Sequence, residues 1–343
     1  MTTSAAGRPA QPGTFAARIR RWSQMLVLGL GGVLSLGAVR DLPAAPAGQD
    51  AQPPRIAVVY PDIGEPYSSI FVSITQGIQA ELAEPPTVIR VGTRSVDALR
   101  ADLAKGRIDV CITLGRTALD AVEATGLDLA VVRGAVLDPA VRVGAAGESG
   151  LPPAGISLVP DPALLLGQLR RLAPRVSRVT VVYSDPQGQP LIDRAVEVGQ
   201  RLGLTVAAHK AEDLQSAAAI YKSVVATLGP RDALWIPQDP LAVDDRVILP
   251  MLLNAAWERD FVLFSSNADH AKRGVLYSVY PNNFDMGRRL ARIARQRAAA
   301  PHAAGLLPLE DLLMAVNLRT AEHLQLDLAP DLIRSFDLVF PQR

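Results

Sequence analysis

Short apolar runs recur along residues 55–340, and each ends in a polar tip before an amphipathic stretch begins. A strand buried on both faces needs such a run, while apolar residues three or four apart predict the helices between. Arg55-Ile56-Ala57-Val58-Val59-Tyr60 is the first run, and Pro61-Asp62-Ile63-Gly64-Glu65-Pro66 must leave the strand as a loop. Ile70, Ile74, Ile78 and Leu82 then form the buried stripe of a helix, with Ser68 or Ser69 able to cap it. Residues 88–91 are a second strand, and Ser95 caps a helix carrying Leu99 and Leu103. Residues 108–114 are a third strand, ending in Gly115-Arg116-Thr117, where Thr117 begins a helix. Residues 129–132 are a fourth.

The pattern then repeats. Residues 134–153 are rich in Gly, Ala and Pro, lack periodicity and read as a lobe boundary. Asp161-Pro162 starts a helix with a cap and a first-turn proline. Strands follow at 178–183, 205–208, 233–236 and 261–264, with helices at 188–203 and 213–228. Strand–helix alternation implies parallel strands joined by right-handed crossovers. The expected fold class is therefore α/β, with two doubly wound parallel-sheet lobes and a cleft. The expected organisation is an N-terminal lobe over 55–155 and a C-terminal lobe over 156–282. A segment over 283–343, with a strand at 312–317 and a helix at 320–326, is expected to pack back across both.

In open α/β sheets ligands sit at the carboxyl ends of the strands, so the polar tips are the candidate ligand-binding residues. In the first lobe these are Glu65, Tyr67, Ser68, Gly115, Arg116 and Thr117. Free N–H groups and the helix dipole after Gly115 favour an anion, and Arg116 can add a bidentate contact. The competing reading is Thr117 as a plain cap with Arg116 solvated. In the second lobe the tips are Ser184-Asp185, Gln238-Asp239 and Ser265-Asn267-Asp269. Each Asp can accept a ligand ammonium or cap the next helix, and at least one tip is expected to touch ligand.

Charge and composition narrow the function classes. The 343 residues suffice for two domains and carry 49% apolar but only 5% aromatic residues. Residues 1–47 hold five arginines against Asp41, leaving 30 basic and 33 acidic residues in the remainder. That balance excludes a nucleic-acid footprint. Residues 1–47 also read as a secretory signal: a basic region, an apolar run over 25–39, and Ala45-Pro46-Ala47 as the cleavage pattern. Export to the periplasm is expected, with an uncleaved inner-membrane anchor as the alternative because Pro46 weakens the cleavage site. The single Cys111 sits in an apolar run and reads as a buried hydrophobe. His209, His270, His302 and His323 are scattered, so surface positions, no metal site and no histidine dyad are expected. No nucleophile elbow, P-loop or dinucleotide loop follows a strand, so neither catalysis nor a cofactor is expected.

Several segments carry a family resemblance. Thr180-Val181-Val182-Tyr183-Ser184-Asp185-Pro186 and Trp235-Ile236-Pro237-Gln238-Asp239 resemble the second-lobe strand tips of the ABC-transporter substrate-binding protein family that includes tryptophan/tyrosine-type binding proteins. Lys272-Arg273-Gly274-Val275-Leu276, Met286-Gly287-Arg288 and Val316-Asn317-Leu318-Arg319-Thr320-Ala321 are similar to its later signatures. The resemblance implies a type I periplasmic-binding-protein-like fold whose lobes close on a small organic ligand, amino-acid-like in the family's tryptophan/tyrosine branch. It also implies an ABC-transporter membrane permease as partner, a monomer, and no catalysis. A ligand-sensing protein of the same fold coupled to a membrane sensor is the alternative. Departures cluster near the presumed cleft: Pro153-Ala154-Gly155-Ile156, Gly115-Arg116-Thr117, Pro250, which is expected to interrupt the helix after Asp239, and Tyr280-Pro281-Asn282-Asn283-Phe284.

Overall fold

The computed structural model describes residues 53–65, 67–137, 153–184, 188–239, 241–300 and 305–341. The signal expected over 1–47 and the tip residue Asp185 lie outside the described residues. The first half builds β1 (Ile56–Pro61), α1 (Tyr67–Glu81), β2 (Thr87–Val91), α2 (Val96–Lys105), β3 (Val110–Leu114), α3 (Arg116–Ala124), β4 (Ala130–Val136) and β5 (Ala154–Pro160). It continues with α4 (Pro162–Leu172), β6 (Arg178–Tyr183), α5 (Gln189–Arg201), β7 (Thr205–Lys210), α6 (Leu214–Val225), β8 (Asp232–Ile236), α7 (Ile248–Arg259) and β9 (Val262–Ser265). The remainder is α8 (Ala268–Arg273), β10 (Tyr277–Pro281), α9 (Asn283–Ala299), β11 (Leu306–Leu309), β12 (Leu312–Asn317), α10 (Leu318–His323), α11 (Pro330–Arg334) and β13 (Leu338–Phe340).

The strands form two sheets, ordered β2-β1-β3-β4-β5-β11 and β7-β6-β8-β9-β10-β12-β13. The first is parallel throughout. The second is parallel except where β12 runs antiparallel to β10. Both open with the same local order, the second strand outside the first and the third inside it. Each lobe therefore has a switch point between its first and third strands, where two tips diverge and leave a crevice.

Side-chain alternation along the strands sorts each core into two layers. On the first sheet, Val58 and Tyr60 face Ile74, Ile78 and Leu290 of α1 and α9, while Ala57 and Val59 face Leu99, Leu103 and Val122 of α2 and α3. On the second, Val179 and Val181 pack with α4 and α5, and Val182, Leu234 and Ile236 with α6 and α7. Ser95 accepts from Ala98 N and Asp161 from Ala163 N, both caps as expected, and Asp213 also forms a capping box with Ser216.

Several expectations need correction. β5 lies within the first sheet, so a boundary between 155 and 156 cuts a strand. The 283–343 segment does not lie across both lobes as one body: α9 and β11 join the first sheet, β12 and β13 the second. The main chain passes between the sheets at 160–162, 281–283 and 309–312 among the described residues. Pro250 does not interrupt α7 but sits in its first turn, where no N–H partner is lost. Ser68 and Ser69 lie inside α1 rather than capping it from outside.

Candidate functional site

At the second lobe's switch point the tips of β6 and β8 are tied together by one carboxylate. Asp239 Oδ2 accepts from Ser184 N at 2.7 Å, and Oδ1 accepts from Ser184 Oγ at 2.7 Å. The same carboxylate accepts the N–H groups of Leu241 and Ala242 at 3.0 and 3.1 Å. Asp239 is thus fully engaged in holding two strand ends and starting the next turn. An ammonium group could reach this carboxylate only in competition with those bonds.

Beside this tie lies a cavity of about 190 Å³. Its polar edge is Ser184, Gln238 and Ser266, and its apolar wall includes Tyr183, Trp235 and Ile192. Leu137, Val159 and Pro160, at the ends of β4 and β5, close one side, so the first sheet also contributes. Trp235 is buried and donates Nε1–H to Ser266 Oγ at 3.2 Å, while Tyr183 OH donates to Gln189 Oε1 at 2.6 Å. The Gln238 amide is exposed and, among the described residues, has no hydrogen-bond partner. It is the polar group here that a ligand can engage at no cost to the fold. The apolar wall was missed from sequence, although Tyr183 and Trp235 lie in the two strands that end at these tips.

Ser265 and Asn267 serve a neighbouring network rather than the cavity. Ser265 Oγ lies 2.7 Å from His270 Nδ1, and His270 Nε2 lies 2.9 Å from Asp245 Oδ1. The group has the composition of a hydrolytic triad. Ser265 is only 1% exposed, however, and its oxygen also accepts Asn267 N–H at 3.1 Å. The chain of bonds pins α8 to the segment before α7 and offers no accessible nucleophile. His270 was expected on the surface and is buried, because its partners lie 5 and 25 residues away in sequence. Asn267 caps α8 by accepting from Asp269 N.

Burial, opposed by the Asp245 carboxylate, holds His270 below the ordinary imidazole value of 6.5. Between 6.5 and that lower folded value the unfolded chain takes up the proton first. Stability from this group is therefore present above pH 6.5 and is lost as pH falls through that window. Replacing His270 with Gln should lower the neutral-pH urea midpoint and flatten its decline in mild acid. An unchanged acid slope would place the titration elsewhere.

The first lobe's switch point carries the remaining candidates. Gly115 is the N-cap of α3 with φ 84°, and no side chain caps the helix, so Thr117 is not the cap. The uncapped first turn keeps its N–H donors available. Arg116 is exposed and has no carboxylate partner among the described residues. Tyr67 is 59% exposed at the start of α1. Glu65 accepts from Ser68 Oγ, and bonds from Ser68 and then Ser69 hold its carboxyl below the usual range. Glu65, Tyr67, Ser68, Gly115, Arg116 and Thr117 do not line the 190 Å³ cavity. They belong to the tips of the other sheet.

The same arrangement of lobes occurs in solved structures. A substrate-binding protein with adhesive properties from Clostridium difficile, in its ligand-free open form, superposes with a TM-score of 0.61 at 14% identity, covering 83% of this chain and 99% of its own. An ABC domain in complex with L-Trp from Streptococcus pneumonia superposes at 0.53 with 15% identity, covering 84% and 100%. The fold is that of a type I periplasmic binding protein. A conserved domain protein from Vibrio cholerae shares the binding-protein fold at 0.53, with 13% identity over 83% of this chain and 99% of its own. No protein-family model matches the sequence, and no curated protein matches it. No described helix of this chain is long and apolar enough to cross a membrane.

Proposed function

We propose that this protein captures a small organic ligand between its two lobes and hands it to the membrane permease of an ABC transporter. The observation that carries this reading is the cavity at the β6/β8 switch point, with the free Gln238 amide on its rim and Leu137 and Pro160 closing it from the first sheet. At about 190 Å³ it falls below the roughly 300–1,000 Å³ typical of drug-sized ligands. The ligand is therefore small, or the cavity is one wall of a site completed when the first lobe's tips approach. The second case gives Arg116 and the open turn of α3 their role: they meet an anionic group, such as the carboxylate of an amino acid. Closure would act by population shift, the ligand favouring the state in which both lobes touch it.

The proposal includes export to the periplasm through the N-terminal basic–apolar segment, action as a monomer, and no catalysis. Calorimetry against a metabolite panel tests it. Arg116→Ala should weaken an anionic ligand by about 1.5–3 kcal/mol, the scale of a charge-assisted contact. Gln238→Ala should weaken it by about 0.5–1.5 kcal/mol. Unchanged affinity in both variants would move the ligand away from the strand tips.

A further inference from the structure

A second cavity lies away from the strand tips. It measures about 530 Å³ and lies wholly within the second lobe, among α7, α8, α10 and the end of β13. Its position follows from the strand register. Tyr277 opens β10 and pairs with Val316, so Asn317 and the start of α10 lie at the amino-terminal end of β10, whereas the Ser184 and Gln238 tips follow the carboxyl ends of β6 and β8.

The two sequence signatures left without a role meet here. Asn317 Nδ2 donates to Ala271 O at 2.9 Å, and Thr320 Oγ1 donates to Gly274 O at 2.8 Å. Lys272-Arg273-Gly274 and Asn317-x-x-Thr320 are thereby locked into one unit. These bonds satisfy the polar floor and fix the spacing of the cations above it. Lys272, Arg273 and Arg319 all line the cavity, and none of its described lining residues is acidic. On a chain whose residues 48–343 carry 33 acidic against 30 basic side chains, three cations without an acid run against the overall balance.

Only Arg273 has an acid partner, Asp245, to which it also donates at the main-chain oxygen. Lys272 and Arg319 have none among the described residues. Arg319 lies over the Trp257 ring at 5.8 Å. Trp257 in turn stacks on His323 at 3.6 Å, and His323 is held by Trp257 O and Asp260. The guanidinium is thus placed before anything binds, which lowers the ordering cost of an ionic contact.

We propose that this cavity is a second ligand site, for a small molecule with at least two negative charges carried on phosphate or carboxylate oxygens. Its concavity suits a small molecule rather than the flatter face of a protein partner. The site is complete within one lobe and does not depend on cleft closure or on the transport reading. Inorganic pyrophosphate and citrate serve as probes, titrated into the full chain by calorimetry with Trp257 fluorescence followed in parallel. Saturable one-to-one binding is expected for at least one probe, weakening as salt rises. A preference for pyrophosphate would assign a phosphate ester, and a preference for citrate a polycarboxylate. The double variant K272Q/R319Q should weaken binding about tenfold or more per cation removed, while Q238A leaves it unchanged. Both cations are exposed, so the fold should persist; K272Q alone, with a smaller loss, provides the same test. Absence of saturable binding by either probe at low ionic strength, or equal binding by K272Q/R319Q, would overturn the proposal.

Discussion

Replacing Gly287 with valine is expected to destabilise the first lobe by about 3 kcal/mol or more, because overpacking usually costs about 1–3 kcal/mol and here the obstacle is backbone. A Cβ at Gly287 would lie 2.1 Å from Ile74 O and 3.0 Å from Ile78 N. The contact is reciprocal: a Cβ at Gly77 would lie 1.9 Å from Phe284 O. α1 and α9 therefore cross with glycine against main chain on both sides, and neither helix can yield without parting from Val58 and Ile112 of the sheet beneath. Gly167 within α4 provides the control, since nothing lies within 4 Å of its added Cβ. Gly167→Ala should stabilise by about 0.5–1 kcal/mol through helix propensity. Urea unfolding followed by far-ultraviolet circular dichroism should show opposite shifts for the two positions. A Gly287→Val midpoint equal to that of the parent would mean that the helices do not cross this closely.

The second large effect is expected at Trp235. Its side chain is 1% exposed and lies nearly parallel to Phe264 at 6.3 Å, and Phe264 stacks on Tyr277 at 5.2 Å. Truncating a buried tryptophan to alanine costs about 3–5 kcal/mol through lost burial and the cavity left behind. At this position the new space opens into the strand-tip cavity, and Ser266 loses the donor that positions it. Trp235→Ala should therefore lower both the urea midpoint and ligand affinity. Trp235→Phe should recover much of the stability but not the Ser266 contact. If Trp235→Ala kept its parent's affinity for a cleft ligand, the cavity beside Ser184 would not be the binding site.

What was legible from sequence divides along physical lines. Strands made of nearly continuous apolar runs, such as 56–60 and 179–183, declare themselves because both faces are buried. β5 and β11 do not: Gly155 and Pro308 interrupt them, and their pairing partners are distant. Gly155 fits the sheet only because it lacks a side chain, since a Cβ there would lie 2.0 Å from Arg133 O at φ 146°. Of the expected tip residues, the structure brings Ser184, Gln238 and Asp239 to one place, together with Ser266, which was not singled out as a candidate. Which tip is free to bind was not legible. Asp239 is consumed by a residue 55 positions earlier, and Ser265 by a buried histidine whose second partner lies before α7. The Met286-Gly287-Arg288 signature has its explanation in helix crossing, and the Asn317-x-x-Thr320 signature in a lock on α8; neither spacing is visible without the third dimension.

The most direct test of a two-lobed protein that closes on a small ligand is native mass spectrometry of gently purified protein, with release and identification of whatever is bound. The account predicts a one-to-one complex with a small organic molecule that is lost or weakened in Arg116→Ala and Gln238→Ala and retained in K272Q/R319Q. A bound molecule indifferent to both strand-tip substitutions would contradict it.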